Sequence, residues 1–242
     1  MQFFTQHGYN CVNPGWPGDG DTVEASRIKT KAIANRGVRE VANHYAAVID
    51  TLPSNPILIG HSFGGLIVQV LLGRGIGAAG IAIDPAPMRG VWQLPFSALK
   101  ASFPVLGNPF NFKRAVSLTF KQFNYAFTNT LPEQEARELY ARCTVPSPGR
   151  PLFQVAFATL NPFAETIVNT SNTTRGPLLI TSGASDHTVP PLLSKAAYKK
   201  YSKSPAVTEL KSFDGRGHSL TIDHGWQEVA SYALNWLNHR GL

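Results

Sequence analysis

Apolar residues recur along this chain in two rhythms, and the way those rhythms alternate predicts an α/β fold. Residues 38–52 place Val38, Val41, Ala42, Tyr45, Val48, Ile49 and Leu52 on one stripe of an amphipathic helix. Unbroken apolar runs follow at Ile57-Leu58-Ile59, Ala79–Ile83 and Leu178-Leu179-Ile180. Short runs of this kind suit strands that are buried on both faces. Between the first two lies Leu66–Leu72, apolar except for Gln69 and stopped at Gly73, which predicts a buried helix. A helix near 191–203, a strand over 207–211 and a last helix carrying Trp226, Val229, Ala233, Trp236 and Leu237 complete the pattern. Strand, helix, strand in this order implies a parallel sheet with right-handed crossovers. Cys11-Val12-Asn13 reads as one more short strand, entering the turn Pro14–Gly18.

The rhythm breaks over residues 88–172. This stretch is rich in aromatics, among them Trp92, Phe103, Phe123, Phe127, Tyr140 and Phe157. Thr130-Leu131-Pro132-Glu133 has the form of a capping box ahead of Ala136, Leu139, Tyr140 and Cys143. The expectation is one domain over 1–242, with a core of 1–87 and 173–242 and a mostly helical insertion over 88–172. Most of the aromatics form the insertion's own small core, and a few line a pocket beneath it.

Composition narrows the class. A chain of 242 residues with 43% apolar content is long enough for one well-buried α/β domain. Its charge of +7 is spread out, and Lys195, Lys199, Lys200 and Lys203 fall on the solvent side of a helix. No basic patch interleaved with aromatics marks a nucleic-acid partner. There is no apolar run of membrane-spanning length. The start, Met1–His7, lacks a basic stretch followed by an apolar one, so a cytoplasmic location is expected. Two cysteines, Cys11 and Cys143, make neither a disulfide framework nor a metal set and read as free thiols.

The chemistry enters at Gly60-His61-Ser62-Phe63-Gly64-Gly65, between the run 56–59 and the helix that follows. An apolar strand that breaks into Gly-x-Ser-x-Gly and then a helix is a nucleophile elbow. Its turn holds the serine at positive φ, and close approach excludes a Cβ at positions 60 and 64. A serine hydroxyl is a weak nucleophile, so it needs a base within hydrogen-bond reach and an acid to orient that base. On this architecture both lie in loops after later strands, in the order Ser, acid, His. Asp186 follows the strand at 178–182, and His218 follows the strand at 207–211. Asp84, after the strand at 79–83, is the rival acid, and Pro85 pins it. His187 is too close to Asp186 along the chain to bridge it. His224 belongs to the start of the last helix, and His61 is the elbow's variable residue. Zinc on His218, Asp223 and His224 lacks further ligand spacing.

These residues resemble the α/β-hydrolase superfamily. The resemblance rests on Gly60–Gly65, on Asp186 with Val189-Pro190, and on Gly217-His218-Ser219, and it spans nearly the whole chain. It places 88–172 where that family carries a cap. It implies Ser62 as nucleophile, His218 as general base and then acid, Asp186 as orienter, and the Phe63 N–H as an oxyanion donor. No metal or organic cofactor is implied. A serine at the elbow, where epoxide hydrolases and dehalogenases carry aspartate, speaks against those branches. The expected reaction is hydrolysis of an ester or thioester of an apolar small molecule through an acyl-enzyme. A perhydrolase, haloperoxidase-like or lyase activity on the same triad is one alternative. A ligand-binding member with little turnover is another.

The chain departs from the family at its start. The family places three strands ahead of residues 11–13, and the third ends in a His-Gly loop that supplies a second oxyanion donor. Here His7-Gly8 reads as a helix end, with Gly8 as the stop. A truncated copy is therefore expected, with the elbow strand left at an open edge and the oxyanion site short of one donor.

Overall fold

The apolar runs become a four-stranded parallel sheet in the computed structural model, which describes residues 1–242. In chain order, helices α1 (Gln2–Gln6), α2 (Val23–Ile28), α3 (Thr30–Ile33) and α4 (Val38–Asp50) precede the first strand, β1 (Ile57–His61). Helix α5 (Phe63–Gly73) and strand β2 (Ala79–Ile83) follow. The stretch between β2 and the next long strand carries α6 (Phe96–Leu106), β3 (Ala115–Val116), α7 (Phe120–Ala126), α8 (Glu133–Cys143), β4 (Ser147–Pro148) and α9 (Arg150–Ala156). Strand β5 (Leu178–Gly183), helix α10 (Pro191–Lys199), strand β6 (Thr208–Phe213) and helix α11 (Trp226–Asn238) close the chain. The sheet order is β1-β2-β5-β6, all parallel, with Ile59 opposite Ile81, Ile81 opposite Leu179, and Leu179 opposite Glu209.

Alternation along each strand builds two apolar layers. Ala82, Leu178 and Ile180 face Leu66, Val70 and Leu71 of α5 and Leu193 and Ala197 of α10. Ile81, Ile83 and Leu179 face the other way, onto Val229, Ala233, Trp236 and Leu237 of α11. Leu66, Ile81, Leu179 and Ile180 are fully buried. Each such side chain contributes roughly 1.5–3 kcal/mol of burial. A helix on each face keeps the sheet rigid, so the loops at its C-terminal rim have a fixed base.

The expected helix at 38–52 and the elbow strand, buried helix and later strands form within a few residues of their expected ends. Two expectations about these elements fail. Cys11–Asn13 forms no strand and pairs with none. Helix α8 starts at Glu133 behind Pro132 with no side-chain cap, so Thr130 does not cap it. The capping box belongs to α7, where Thr119 and Gln122 cap each other's backbone. The stretch 88–172 also holds a two-residue antiparallel ladder, β3 with β4, that no strand pattern signalled.

Helix α1 ends at His7, and Gly8 follows at φ +91°. The helix packs on the opposite end of the chain: Phe3 meets Trp226 edge to face, and the Tyr9 hydroxyl donates to the Leu242 carbonyl. Strand β1 is therefore an edge strand. Beside it runs a groove of 590 Å³ between Ile57, Ile59 and Gly60 on one side and residues 9–14 on the other. Ile59 is 43% exposed there, at a position whose neighbours in β2 are fully buried.

Candidate active site

All four strands run the same way, so their C-terminal ends share one rim. Strand β1 leads into Ser62, which sits at φ 55°, ψ −117°. A non-glycine residue holds such a backbone only where its surroundings enforce it. Here the Ser62 N–H donates to the Ile83 carbonyl, and the Ala86 N–H donates to the Ser62 carbonyl, both at 2.9 Å. Gly60 has no room for a side chain, since a Cβ would lie 2.3 Å from the Gly64 carbonyl oxygen. Gly64 does not share that constraint: its Cβ would meet open space. The second crowded glycine is Gly65, against Pro85. Phe63 opens α5, so its N–H has no intrahelical acceptor and stands at the positive end of the helix.

The loops after β5 and β6 close on each other. A Cβ on Gly183 would lie 2.7 Å from the Arg216 carbonyl oxygen, and the Ser185 N–H donates to that same carbonyl at 2.9 Å. Asp186 turns inward, its Oδ1 accepting from the N–H groups of Thr188 at 2.7 Å and Val189 at 2.8 Å. Its Oδ2 lies 2.6 Å from His218 Nδ1, with both side chains fully buried. The Arg216–Asp223 ion pair and a bond from the Ser219 N–H to the Phe127 carbonyl (3.0 Å) fix the histidine loop. Burial pushes the Asp186 carboxyl up. The neighbouring His218, its bond to the carboxylate and the bond from the Val189 N–H outweigh it and hold that carboxyl at about 2.

The structure thus brings Asp186 and His218 together, and sets Ser62 on the same rim without a hydrogen bond to the histidine. His218 Nε2 is buried and has no partner. The ring of His61 lies against that of His218, 4.5 Å between centroids. Burial first, then the neighbouring His218, pulls the His61 pKa down to about 3, so this ring is neutral. Asp84 stands 4.0 Å from His218 Nδ1, farther than Asp186.

The remaining histidines are used elsewhere. His187 Nδ1 meets the Tyr125 carbonyl at 3.0 Å, and His224 pairs with Glu135 at 2.8 Å. Asp223 pairs with Arg216, so His218, Asp223 and His224 do not assemble as a zinc set. Single donor atoms of His61, Asp84 and His218 do lie within 4.8 Å of one another. The Nδ1 of His218 is taken by Asp186.

Sequence reasoning missed Phe127, whose ring meets His218 edge to face at 5.0 Å. Only its place among many aromatics signalled it. It also missed that the end of α7 holds the loops after β5 and β6. His187 and Thr188 contact the carbonyls of Tyr125 and Ala126 there, and Ser219 contacts that of Phe127.

Comparison with known proteins agrees with this architecture. An extracellular α/β-hydrolase from a Paenibacillus species is 18% identical, with a TM-score of 0.65 over 97% of this chain and 90% of its own. A protein described as a non-heme bromoperoxidase from Mycobacterium tuberculosis is 16% identical, with a TM-score of 0.64 over 99% of this chain and 85% of its own. A monoacylglycerol lipase from Paleococcus ferrophilus is 20% identical, with a TM-score of 0.57 over 84% of this chain and 76% of its own. At these identities the likeness is one of fold. No curated protein matches by sequence. The model of the alpha/beta hydrolase family matches residues 1–232, and the chain belongs to that family.

Proposed function

We propose that this hydrolase cleaves carboxylic esters or thioesters of apolar substrates through an acyl-enzyme on Ser62. The observation that carries the reading is the 2.6 Å contact between Asp186 and His218, on the rim where Ser62 is held at φ 55°. Ser62 Oγ attacks the carbonyl carbon while His218 Nε2 takes its proton. Asp186 accepts from His218 Nδ1–H, which leaves Nε2 as the basic nitrogen and stabilises the imidazolium. The Phe63 N–H donates to the oxyanion as the carbonyl becomes tetrahedral. His218 then protonates the departing alkoxide or thiolate. Water, losing its proton to His218, attacks the acyl carbon and frees Ser62.

Residues 88–172 act in this reading as a cap whose aromatics favour apolar acyl or alcohol groups. Phe127 covers His218, so opening of α7 admits the substrate and closure excludes water. The unpartnered Nε2 of His218 suits a site that tightens when substrate arrives.

The same unpartnered nitrogen supports a second reading, a binding member of the fold with little turnover. A panel of p-nitrophenyl esters and acyl thioesters, run with and without hydrogen peroxide on the parent and on Ser62→Ala, separates the readings. Ester or thioester turnover that is lost in Ser62→Ala is the expected outcome. Faster reaction only with peroxide points to a perhydrolase. Equal background rates in both folded proteins contradict catalysis.

A further inference from the structure

One carboxyl at the rim has no place in the mechanism above. Asp84 ends β2 at φ +41°, a left-handed backbone that asparagine and aspartate adopt more readily than other side chains do. It is fully buried. Its Oδ1 accepts from the Gly183 N–H at 2.7 Å. Its Oδ2 meets no donor at all. This carboxyl and that of Asp186 converge on one nitrogen: Asp84 Oδ2 lies 4.0 Å from His218 Nδ1, and Asp186 Oδ2 lies 2.6 Å from it. The other titratable groups facing it are His61, from the end of β1, and His218, from the loop after β6.

Two buried carboxyls facing one nitrogen cannot both ionise cheaply, and a buried one with no counter-charge is costly to ionise. Asp186 has the imidazole and two backbone N–H groups to favour its charge. Asp84 has a single N–H, and that lies on its other oxygen. A proton on Oδ2 turns an acid–acid clash into an O–H···O⁻ bond and gives the orphaned oxygen its partner. We propose that Asp84 is a neutral carboxylic acid whose Oδ2–H donates to the carboxylate of Asp186, making it a positioning residue that holds the acid of the triad in place for His218. Burial, then the charge of Asp186 and the bond to it, raise the Asp84 carboxyl well above the ordinary range, in keeping with this geometry.

The role rests on the serine-hydrolase reading, but the protonation state can be read without turnover. Asp84→Asn preserves both contacts, because its carbonyl oxygen accepts from Gly183 and its amide donates to Asp186. It also tolerates the positive φ. Infrared difference spectra of the parent against this variant at neutral pH are expected to show the carbonyl band of one protonated carboxylic acid, present only in the parent. No such band overturns the proposal, whatever the activity.

The pH profile of kcat/KM supplies the second reading. Its acid limb follows loss of the neutral His218 base. If Asp84 is neutral, Asp84→Asn leaves that limb in place and kcat near the parent's. If Asp84 is ionised, removing its charge moves the limb down by about 1–3 pH units, and the proposal fails. Asp84→Ala, which lacks the donor, is expected to lose about tenfold in kcat, with Asp84→Asn retaining it. Equal loss in both folded variants contradicts the positioning role. Failure of the parent to hydrolyse any ester, with the infrared band present, removes the catalytic reading and leaves the neutral acid standing.

Discussion

The imidazoles of His61 and His218 lie 4.5 Å apart, tilted by 46°, and only one of them has a carboxylate partner. Asp186 holds His218 at 2.6 Å, while His61 Nε2 is buried without a partner. The pair is asymmetric: a carboxylate holds one ring, and burial keeps the other neutral. In an NMR titration of histidine ring protons, His61 is expected to show no transition over the range where histidines ordinarily titrate, about pH 5–8. It should begin to protonate only near 3. A His61 resonance that titrates near neutrality would contradict the neutral assignment.

The two elbow glycines predict different costs. Gly60→Ala drives a methyl into the Gly64 carbonyl, so it should destabilise by about 1–3 kcal/mol and lower labelling or turnover at Ser62. Gly64→Ala meets no neighbour within 4 Å, and alanine favours the helix by roughly 1 kcal/mol. Urea unfolding of both variants is the check, and equal destabilisation would overturn this ordering.

The two buried acids give opposite pH dependences of stability. Asp186 is held below its ordinary value of 3.8, so its ionised form stabilises the fold above that value. That contribution disappears as pH falls from 3.8 to about 2. Asp84 is raised, so its contribution is full below 3.8 and is lost as pH rises through its folded pKa. Unfolding free energies across pH should show Asp84→Asn gaining on the parent as pH rises above 3.8. A gap that is flat or reversed would contradict the raised carboxyl.

The open edge of β1 carries its own expectation. Ile59 is 43% exposed, and the strand's outer backbone faces the groove rather than a neighbour. Native-state hydrogen exchange should be faster for outward amides of β1 than for those of β2 and β5, which are paired on both sides. Equal protection across the three strands would show that the edge is covered in solution.

Much of this was legible in the residues themselves. The strands and the buried helix announce themselves because burial on both faces demands unbroken apolar runs, as at Leu178–Ile180. Ser62 is legible because Gly60 is the only residue its turn permits, which ties sequence to backbone geometry. Asp186 and His218 follow from strand order, since a parallel sheet puts every strand end on one rim. Other features depend on partners distant in sequence. Cys11–Asn13 has a strand-like pattern, but a strand exists only with a neighbour to bond. Thr130 has a capping pattern, yet Pro132 sets the start of α8 instead. Phe127 and the convergence of Asp84 and Asp186 on His218 belong to tertiary packing, which no local pattern encodes.

The proposed nucleophile is tested most directly by a fluorophosphonate probe, read by intact mass, with the labelled residue located by peptide mapping. The account predicts one adduct per chain on Ser62, lost in Ser62→Ala and strongly slowed in His218→Ala, with both variants folded. No adduct on the folded parent, or an adduct that survives Ser62→Ala, would contradict it.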